Sequence, residues 1–277
     1  MREIAVNTYG WIWSTPILDC LRRLTELGHR RFEAMIHPPH LPLDGFSPAA
    51  RRELRSVVEA AGASITSVNM PSLDHNLASP LDGVRAASVA MFDRAIGLAA
   101  DLGAPWVVVV PGRMNPLFPP PVDLRTGWMT ASLEALLPLA EARGVGLAIE
   151  NVPFAAFPDA ASLEAFVRGF ASPRVGVCWD AANAHFIGED LVASTARLAD
   201  LLRVVHLSDT TRRVWRHDRL GLGDVPVADF VGAVEAAGFD GPLTLEIIDP
   251  DPETAIADSL RALRSLGFAP STAETAA

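Results

Sequence analysis

Four polar residues each close a run that is otherwise apolar: Glu150 in GLAIEN, Asp180 in VGVCWD, His206 in RVVHLSD and Glu246 in LTLEII. Three carboxylates drawn together around one imidazole repel one another unless a cation lies between them. Three oxygen donors and one nitrogen make a fairly hard ligand set. That set points to one divalent ion, Mn²⁺ first, with Mg²⁺, Co²⁺ or Zn²⁺ as alternatives. Four ligands on a six-coordinate ion leave two positions open, as a catalytic metal requires. Two open positions suit the adjacent oxygens of an α-hydroxy ketone. The corresponding chemistry is proton removal beside a metal-bound carbonyl, with the enediolate stabilised by the ion.

Such residues need strands that end at one face. Eight short apolar runs qualify, at 4–9, 31–36, 64–70, 105–110, 146–151, 175–180, 204–209 and 242–248. They are β-branched or continuously apolar, as strands covered on both faces should be. Amphipathic stretches separate them; in 82–102, Val84, Ala87, Met91, Ala95, Leu98 and Leu102 recur at helical spacing. Gly28, Gly62, Gly103, Gly144 and Gly238 stand where helices should stop. Eight alternating βα units predict a single (β/α)8 TIM barrel over 1–268, whose active face is the C-terminal end of its strands. Residues 111–127 (PGRMNPLFPPPVDLRTG) are too rich in proline to read as helix and are expected to be a rigid loop at that face. The small, polar 269–277 is expected to be a disordered tail.

Composition narrows the function. A chain of 277 residues with 49% apolar and 20% charged residues suits one large core. A net charge of −10 argues against nucleic acid or an anionic membrane as partner, although Arg212, Arg213, Arg216 and Arg219 cluster locally. The apolar runs are too short to span a bilayer. Two isolated cysteines, Cys20 and Cys178, and the absence of a basic, apolar leader point to the cytoplasm. The chain contains no lysine, which excludes a Schiff-base lysine, a lysine-anchored pyridoxal phosphate and a P-loop.

Glu-Asn after the fifth strand, Asp-x-x-Asn after the sixth, His-x-x-Asp after the seventh and Leu-Gly-x-Gly at 220–223 resemble the xylose-isomerase-like barrel superfamily. Within it the chain is similar to sugar (phosphate) isomerases and epimerases. The resemblance implies that Glu150, Asp180, His206 and Glu246 bind one divalent ion. It also implies that Glu150 and Glu246 exchange the substrate's protons and that Arg212 contacts substrate. Two departures stand out: Asn183 replaces a histidine common among relatives, and Ala156 replaces a glutamate of tagatose-type epimerases. A DNA-repair branch shares the superfamily, and His217 falls where that branch has a zinc histidine. Trp215 and Asn183 break the rest of that pattern, so DNA repair is not expected.

The remaining candidates are substrate contacts. Asn183, His185, His217 and Asp209 lie near the ligands in sequence, and Asp209 is also a candidate to orient His206. Trp11, with Tyr9 and Trp13, is a candidate wall for a sugar pocket. His75 and Arg113 are polar loop residues with a solvated role as the plainer alternative. His37 and His40 in IHPPH look like a ligand pair, but the prolines between them favour an extended loop. The expected activity is a metal-dependent isomerase or epimerase of a small keto sugar or polyol. The alternative is a lyase or dehydratase that eliminates a β-substituent from a keto sugar, keto-inositol or 3-keto-glycoside. The expected partner is the small substrate itself, with a homo-oligomer left open.

Overall fold

A computed structural model describes residues 2–71, 74–268 and 270–271. Eight parallel strands run in chain order: β1 (Arg2–Asn7), β2 (Arg31–Met35), β3 (Ser64–Asn69), β4 (Trp106–Val109), β5 (Gly146–Glu150), β6 (Val175–Asp180), β7 (Leu202–Leu207) and β8 (Leu243–Leu245). Each pairs with the next, and β1 pairs with both β8 and β2, which closes the barrel. The expected (β/α)8 architecture is therefore present.

Helices fill the crossovers: α1 (Ile17–Glu26), α2 (Pro48–Ala60), α3 (Asp82–Leu102), α4 (Val122–Arg143), α5 (Ala160–Arg168), α6 (Ala181–Ile187), α7 (Leu191–Arg197), α8 (Val227–Ala236) and α9 (Pro252–Ser265). One crossover holds two short helices, because Gly188 at φ 92° ends α6 before α7 begins. The five glycines expected to stop helices all have positive φ, between 64° and 91°. One expectation needs correction: α4 starts at Val122, inside the stretch read as loop. Pro119, Pro120 and Pro121 all precede its first turn, where a missing N–H costs nothing. Within the segment expected to fray, Pro270–Ser271 forms a short strand, β9, beside Arg2–Glu3. Ala269 and residues 272–277 lie outside the described residues.

Strand alternation divides the apolar side chains into two sets. Outward-facing ones, such as Leu147, Ile149, Val177, Trp179 and Val205, join the helices in a large core around the barrel. Inside, Val108, Ala148, Cys178 and Val204 form a separate plug packed against Trp106. Glycine is required beneath it. A Cβ on Gly146 would sit 2.0 Å from the Trp106 ring, and one on Gly176 would strike the Arg203 side chain. Arg203 in turn lies over Trp106, 5.9 Å from the ring centroid.

Candidate metal centre

Above that apolar plug, the same alternation turns the next inward residues polar. Ala148 is followed two positions later by Glu150, Cys178 by Asp180 and Val204 by His206. Asp180 pairs in register with His206, and Glu246 directly follows β8. All four side chains are buried, and each offers a ligand atom within 4.8 Å of the others.

Their hydrogen bonds leave matched vacancies. Asp180 Oδ1 caps α6 by accepting from the Asn183 N–H at 2.5 Å, while Oδ2 has no partner. Glu246 Oε1 accepts from Asn7 Nδ2 at 3.3 Å, while Oε2 makes no well-aligned hydrogen bond and has only ion-pair contacts with His206 and His217. His206 Nδ1 also lacks a partner, although it lies 3.2 Å from Glu246 Oε2, 3.5 Å from Glu150 Oε1 and 3.9 Å from Asp180 Oδ2. A buried polar atom left unpaired costs about 1–3 kcal/mol. Three of them aimed at one point fit a single divalent ion held by Glu150, Asp180, His206 and Glu246. A second cluster, Glu150 with Cys178 and His206, is also compact. It uses the wrong side of the imidazole, because Cys178 Sγ meets Nε2 rather than Nδ1.

The electrostatics agree with this reading. Burial pushes Glu150 up to about 7, with the Glu246 and Asp180 charges adding to the shift. Burial likewise raises Asp180 to about 6. Burial alone would lower His217, but the carboxylates of Glu246 and Asp180 outweigh it and push the imidazole to about 9. For His206 burial is again outweighed, by the Cys178 sulfur and the carboxylates of Glu33 and Glu246, and its pKa lies well above the usual value. Burial also opposes ionisation of Glu246, but the two histidines prevail and hold it below the usual carboxylate range. Without an ion, the cluster retains protons as its positive charge.

One residue in contact with the cluster is not singled out by the sequence. Glu33, fully buried on β2, contacts His206 Nε2 at 3.0 Å through Oε1 and 3.2 Å through Oε2. It also accepts from Asn7 Nδ2 at 2.6 Å, Ser67 Oγ at 2.6 Å and Asn69 Nδ2 at 3.3 Å. A carboxylate on the far nitrogen fixes the tautomer and orientation of a ligating imidazole. The available signal was a lone acid inside the apolar run RFEAMI.

The short motifs resolve into positioning contacts. Asn151 accepts from the Asp180 N–H at 2.7 Å and donates to its carbonyl at 3.0 Å, locking the end of β6 to β5. Asn183 donates to Glu150 Oε1 at 3.4 Å and accepts from Trp215 Nε1 at 2.7 Å. Asp209 does not orient His206. Its carboxylate accepts from the N–H groups of Thr210, Gly221 and Val225 at 2.8–3.1 Å, folding the loop after β7. In that loop a Cβ on Gly223 would sit 2.1 Å from the Thr210 carbonyl.

A cavity of about 770 Å³ opens above the cluster. Tyr9, Arg113, Glu150, Asn183, Trp215, Arg216, His217 and Glu246 are among its lining residues. His217 Nδ1 lies 3.3 Å from Glu246 Oε2 and 3.1 Å from Ser208 Oγ. Several sequence candidates stand elsewhere. Trp11 is buried in the outer core, and Trp13 is exposed with its ring edge-on to His37. His185 is bonded to Asp224 at 2.6 Å. Arg212 is exposed beside Gly188, and Arg216, four residues on, lines the cavity instead. His75 packs edge-on against Phe92, and His40 bonds Thr8 Oγ1 at 3.0 Å; among the described residues neither His37 nor His40 joins a ligand cluster.

A closed βα barrel with a buried set of three acids and one imidazole at its C-terminal mouth defines a class of barrel proteins with a metal-type site. Residues 21–266 match the family described as xylose isomerase-like TIM barrel, and the chain belongs to that family. It is 26% identical to a xylose isomerase of Thermus thermophilus, over 85% of this chain and 69% of that protein. It is 21% identical to the fructoselysine 3-epimerase of Shigella flexneri, over 84% and 86%. A 25% identical protein of Methanocaldococcus jannaschii matches 65% of this chain, which spans only 63% of that relative's length. Among solved structures, a D-tagatose 3-epimerase-like protein superposes with TM-score 0.83 at 20% identity, over 96% of this chain and 98% of that one. An IOLI protein with a bound zinc atom superposes with TM-score 0.80 at 16% identity, over 96% and 98%. These structures share the fold. No helix among the described residues is long and apolar enough to cross a membrane.

Proposed function

We propose that the protein is a divalent-metal-dependent isomerase or epimerase of a keto sugar or polyol. The unpartnered Asp180 Oδ2, His206 Nδ1 and Glu246 Oε2, aimed at one point beneath the cavity, carry this reading. The xylose isomerase and the fructoselysine 3-epimerase among its relatives support the same class of reaction. When bound, the ion supplies Lewis-acid stabilisation for the negative charge that develops on substrate oxygen.

The remaining chemistry belongs to the side chains. Glu150 and Glu246 both line the cavity and rise from β5 and β8, so carboxylate oxygens reach it from two sides of the barrel. One takes the proton from the carbon beside the carbonyl. The electron pair left behind spreads onto the carbonyl oxygen. Return of a proton to the opposite face of the same carbon epimerises it; return to the former carbonyl carbon, as the neighbouring hydroxyl gives its proton to the former carbonyl oxygen, isomerises the sugar. Asn183 steadies Glu150, and Tyr9, the chain's one tyrosine, lines the cavity with its hydroxyl raised to about 12 by burial and the Glu246 and Glu150 charges. That phenol stays a proton donor for hydrogen bonds at neutral pH.

A second reading, β-elimination from the same carbanion, rests on His217. Its imidazole faces the cavity beside Glu246, and neither epimerisation nor isomerisation calls on it. Metal analysis of the purified protein, then incubation with keto sugars in D₂O, tests both readings. Deuterium entering the carbon beside the carbonyl without loss of a substituent supports the first, and loss of that substituent supports the second. A protein that binds no divalent ion and exchanges no proton sinks both.

A further inference from the structure

The cavity is much larger than the sugar that the reaction needs. A hexose occupies roughly the volume of six waters, about 180 Å³, whereas the cavity measures about 770 Å³. One wall of the surplus is apolar, although Arg113, Arg216 and Asp218 also reach the cavity. Phe154, Trp215, Leu222 and Ile248 line it, yet these large apolar side chains remain 50%, 40%, 55% and 42% exposed. A free keto sugar resting on Glu150 and Glu246 would leave that surface in water. Apolar surface gathered at a site mouth is the mark of a ligand that covers it.

The arrangement is built rather than incidental. Phe154 and Trp215 meet edge-on with ring centroids 6.2 Å apart, and Phe186 backs both at 6.2 and 6.4 Å. Trp215 is oriented by its bond to Asn183, which in turn contacts Glu150. The aromatic wall thus begins two hydrogen bonds from the proposed base. Phe154 has φ +63°, a conformation bulky side chains seldom adopt. Its carbonyl accepts from the Met114 N–H at 2.7 Å, and Arg113 bridges Ala155, so the loops after β4 and β5 hold it in place. Uncommon backbone held by its surroundings and presenting a half-exposed ring fits a ligand contact.

We infer that Phe154 and Trp215 form a second subsite that stacks a ring-shaped substituent, so that the substrate is a glycoside of the keto sugar rather than the free sugar. This inference rests on the proposed function for its reacting half. Both an aryl group and a second sugar ring present an apolar face to such a wall.

The test uses the manganese-loaded protein and unreactive ligands, so that binding is read apart from turnover. Dissociation constants are measured by calorimetry for methyl β-D-glucoside, phenyl β-D-glucoside and cellobiose. At least one ring-bearing ligand should bind at least about tenfold more tightly than the methyl glycoside. A preference for phenyl identifies an aryl substituent, and one for cellobiose identifies a sugar. Phe154→Ala should erase the preference, whereas Phe154→Tyr should keep it. Both variants should melt with the wild type, since the side chain is half exposed. Equal affinities, or no binding of either ring-bearing ligand, would overturn the subsite. Proton exchange into methyl and phenyl 3-keto-β-D-glucosides, followed in parallel, isolates the chemistry. Tight phenyl binding without exchange would defeat the proposed reaction and leave the subsite standing.

Discussion

The two nitrogens of His206 face two opposite kinds of carboxylate environment. On the Nε2 side, Glu33 is surrounded by donors from Asn7, Ser67 and Asn69 as well as the imidazole. On the Nδ1 side, Asp180 and Glu246 each leave one oxygen without a partner, and so does the nitrogen itself. Acids on both sides are buried, so burial alone does not account for the difference. A satisfied network holds a side chain still, while an unsatisfied one marks the place of a missing partner. The acids of β5, β6 and β8 therefore suit an ion, and the acid of β2 suits the ring that would bind it.

The most severe way to break this contrast is to remove the ion. Chelation should abolish turnover and lower the melting temperature, with Mn²⁺ or Co²⁺ restoring both. At an ion concentration one hundred times its Kd, the stability returned is about 2.7 kcal/mol. An unchanged melting curve and unchanged turnover after complete chelation would refute the unsatisfied side as a metal centre.

Next in size are the two proposed bases. Glu150→Gln and Glu246→Gln keep one oxygen donor but remove the basic one. Each should cost about 10²–10⁴-fold in kcat, the usual worth of a general base, while retaining part of the bound metal. Full turnover in both variants would move the base to another residue, with His217 the nearest candidate in the cavity.

The legibility of these features in the sequence follows their locality. Strands stood out because each is a short apolar run stopped by glycine, proline or an acid, and barrel closure followed from their number. Glu150, Asp180, His206 and Glu246 were visible because each polar residue ends such a run. Glu33 was missed because it lies within a strand, where its meaning depends on residues 26 to 173 positions away. The loop partners of Asp209 and His185 were hidden for a related reason. Each side chain is bound to partners in the loop after β7, and loop contacts leave no periodic trace. The start of α4 was hidden because proline can precede a helix as readily as it can break one.

Glu33 offers the sharper test of the satisfied side. Glu33→Gln retains a hydrogen-bonding carbonyl but loses the charge facing His206. Metal affinity should fall about 10–100-fold, as for partners of ligating histidines generally. Glu33→Ala should also destabilise the fold, because it strands the buried donors of Asn7, Ser67 and Asn69, each at about 1–3 kcal/mol. Metal affinity equal to wild type in Glu33→Gln would make this glutamate a packing residue only.

The protons held by the ion-free cluster predict how the contrast depends on pH. Glu150 and Asp180, raised to about 7 and about 6, favour the folded state most below their ordinary values near 4, and that contribution disappears as pH rises through 6 and 7. His217, raised to about 9, contributes fully below about 6.5 and loses its contribution as pH rises through 9. Glu246, held low, acts in the opposite sense and loses its contribution in acid. The ion-free protein should therefore weaken from pH 5 to 9. An ion needs the deprotonated ligands, so the melting-temperature gap between loaded and ion-free protein should widen over the same range. Melting curves of both forms at each pH unit check this, and a constant gap would count against proton displacement.

The smallest expected effect separates two arginines of one loop. Family resemblance nominates Arg212, but that side chain is exposed near Gly188, whereas Arg216 lines the cavity beside His217. An exposed side chain away from any site changes stability by no more than about 0.5 kcal/mol when truncated. Arg212→Ala should accordingly leave KM and the melting temperature close to wild type. Arg216→Ala removes a charged donor from the cavity, and a lost hydrogen bond to a charged group is worth about 1.5–3 kcal/mol. Screening at the open mouth reduces that figure, so a rise in KM of roughly tenfold with little change in kcat is expected. Steady-state kinetics of the two variants on one substrate decide the matter. If Arg212→Ala raises KM and Arg216→Ala does not, the loop after β7 closes over substrate in a way that carries Arg212 inward.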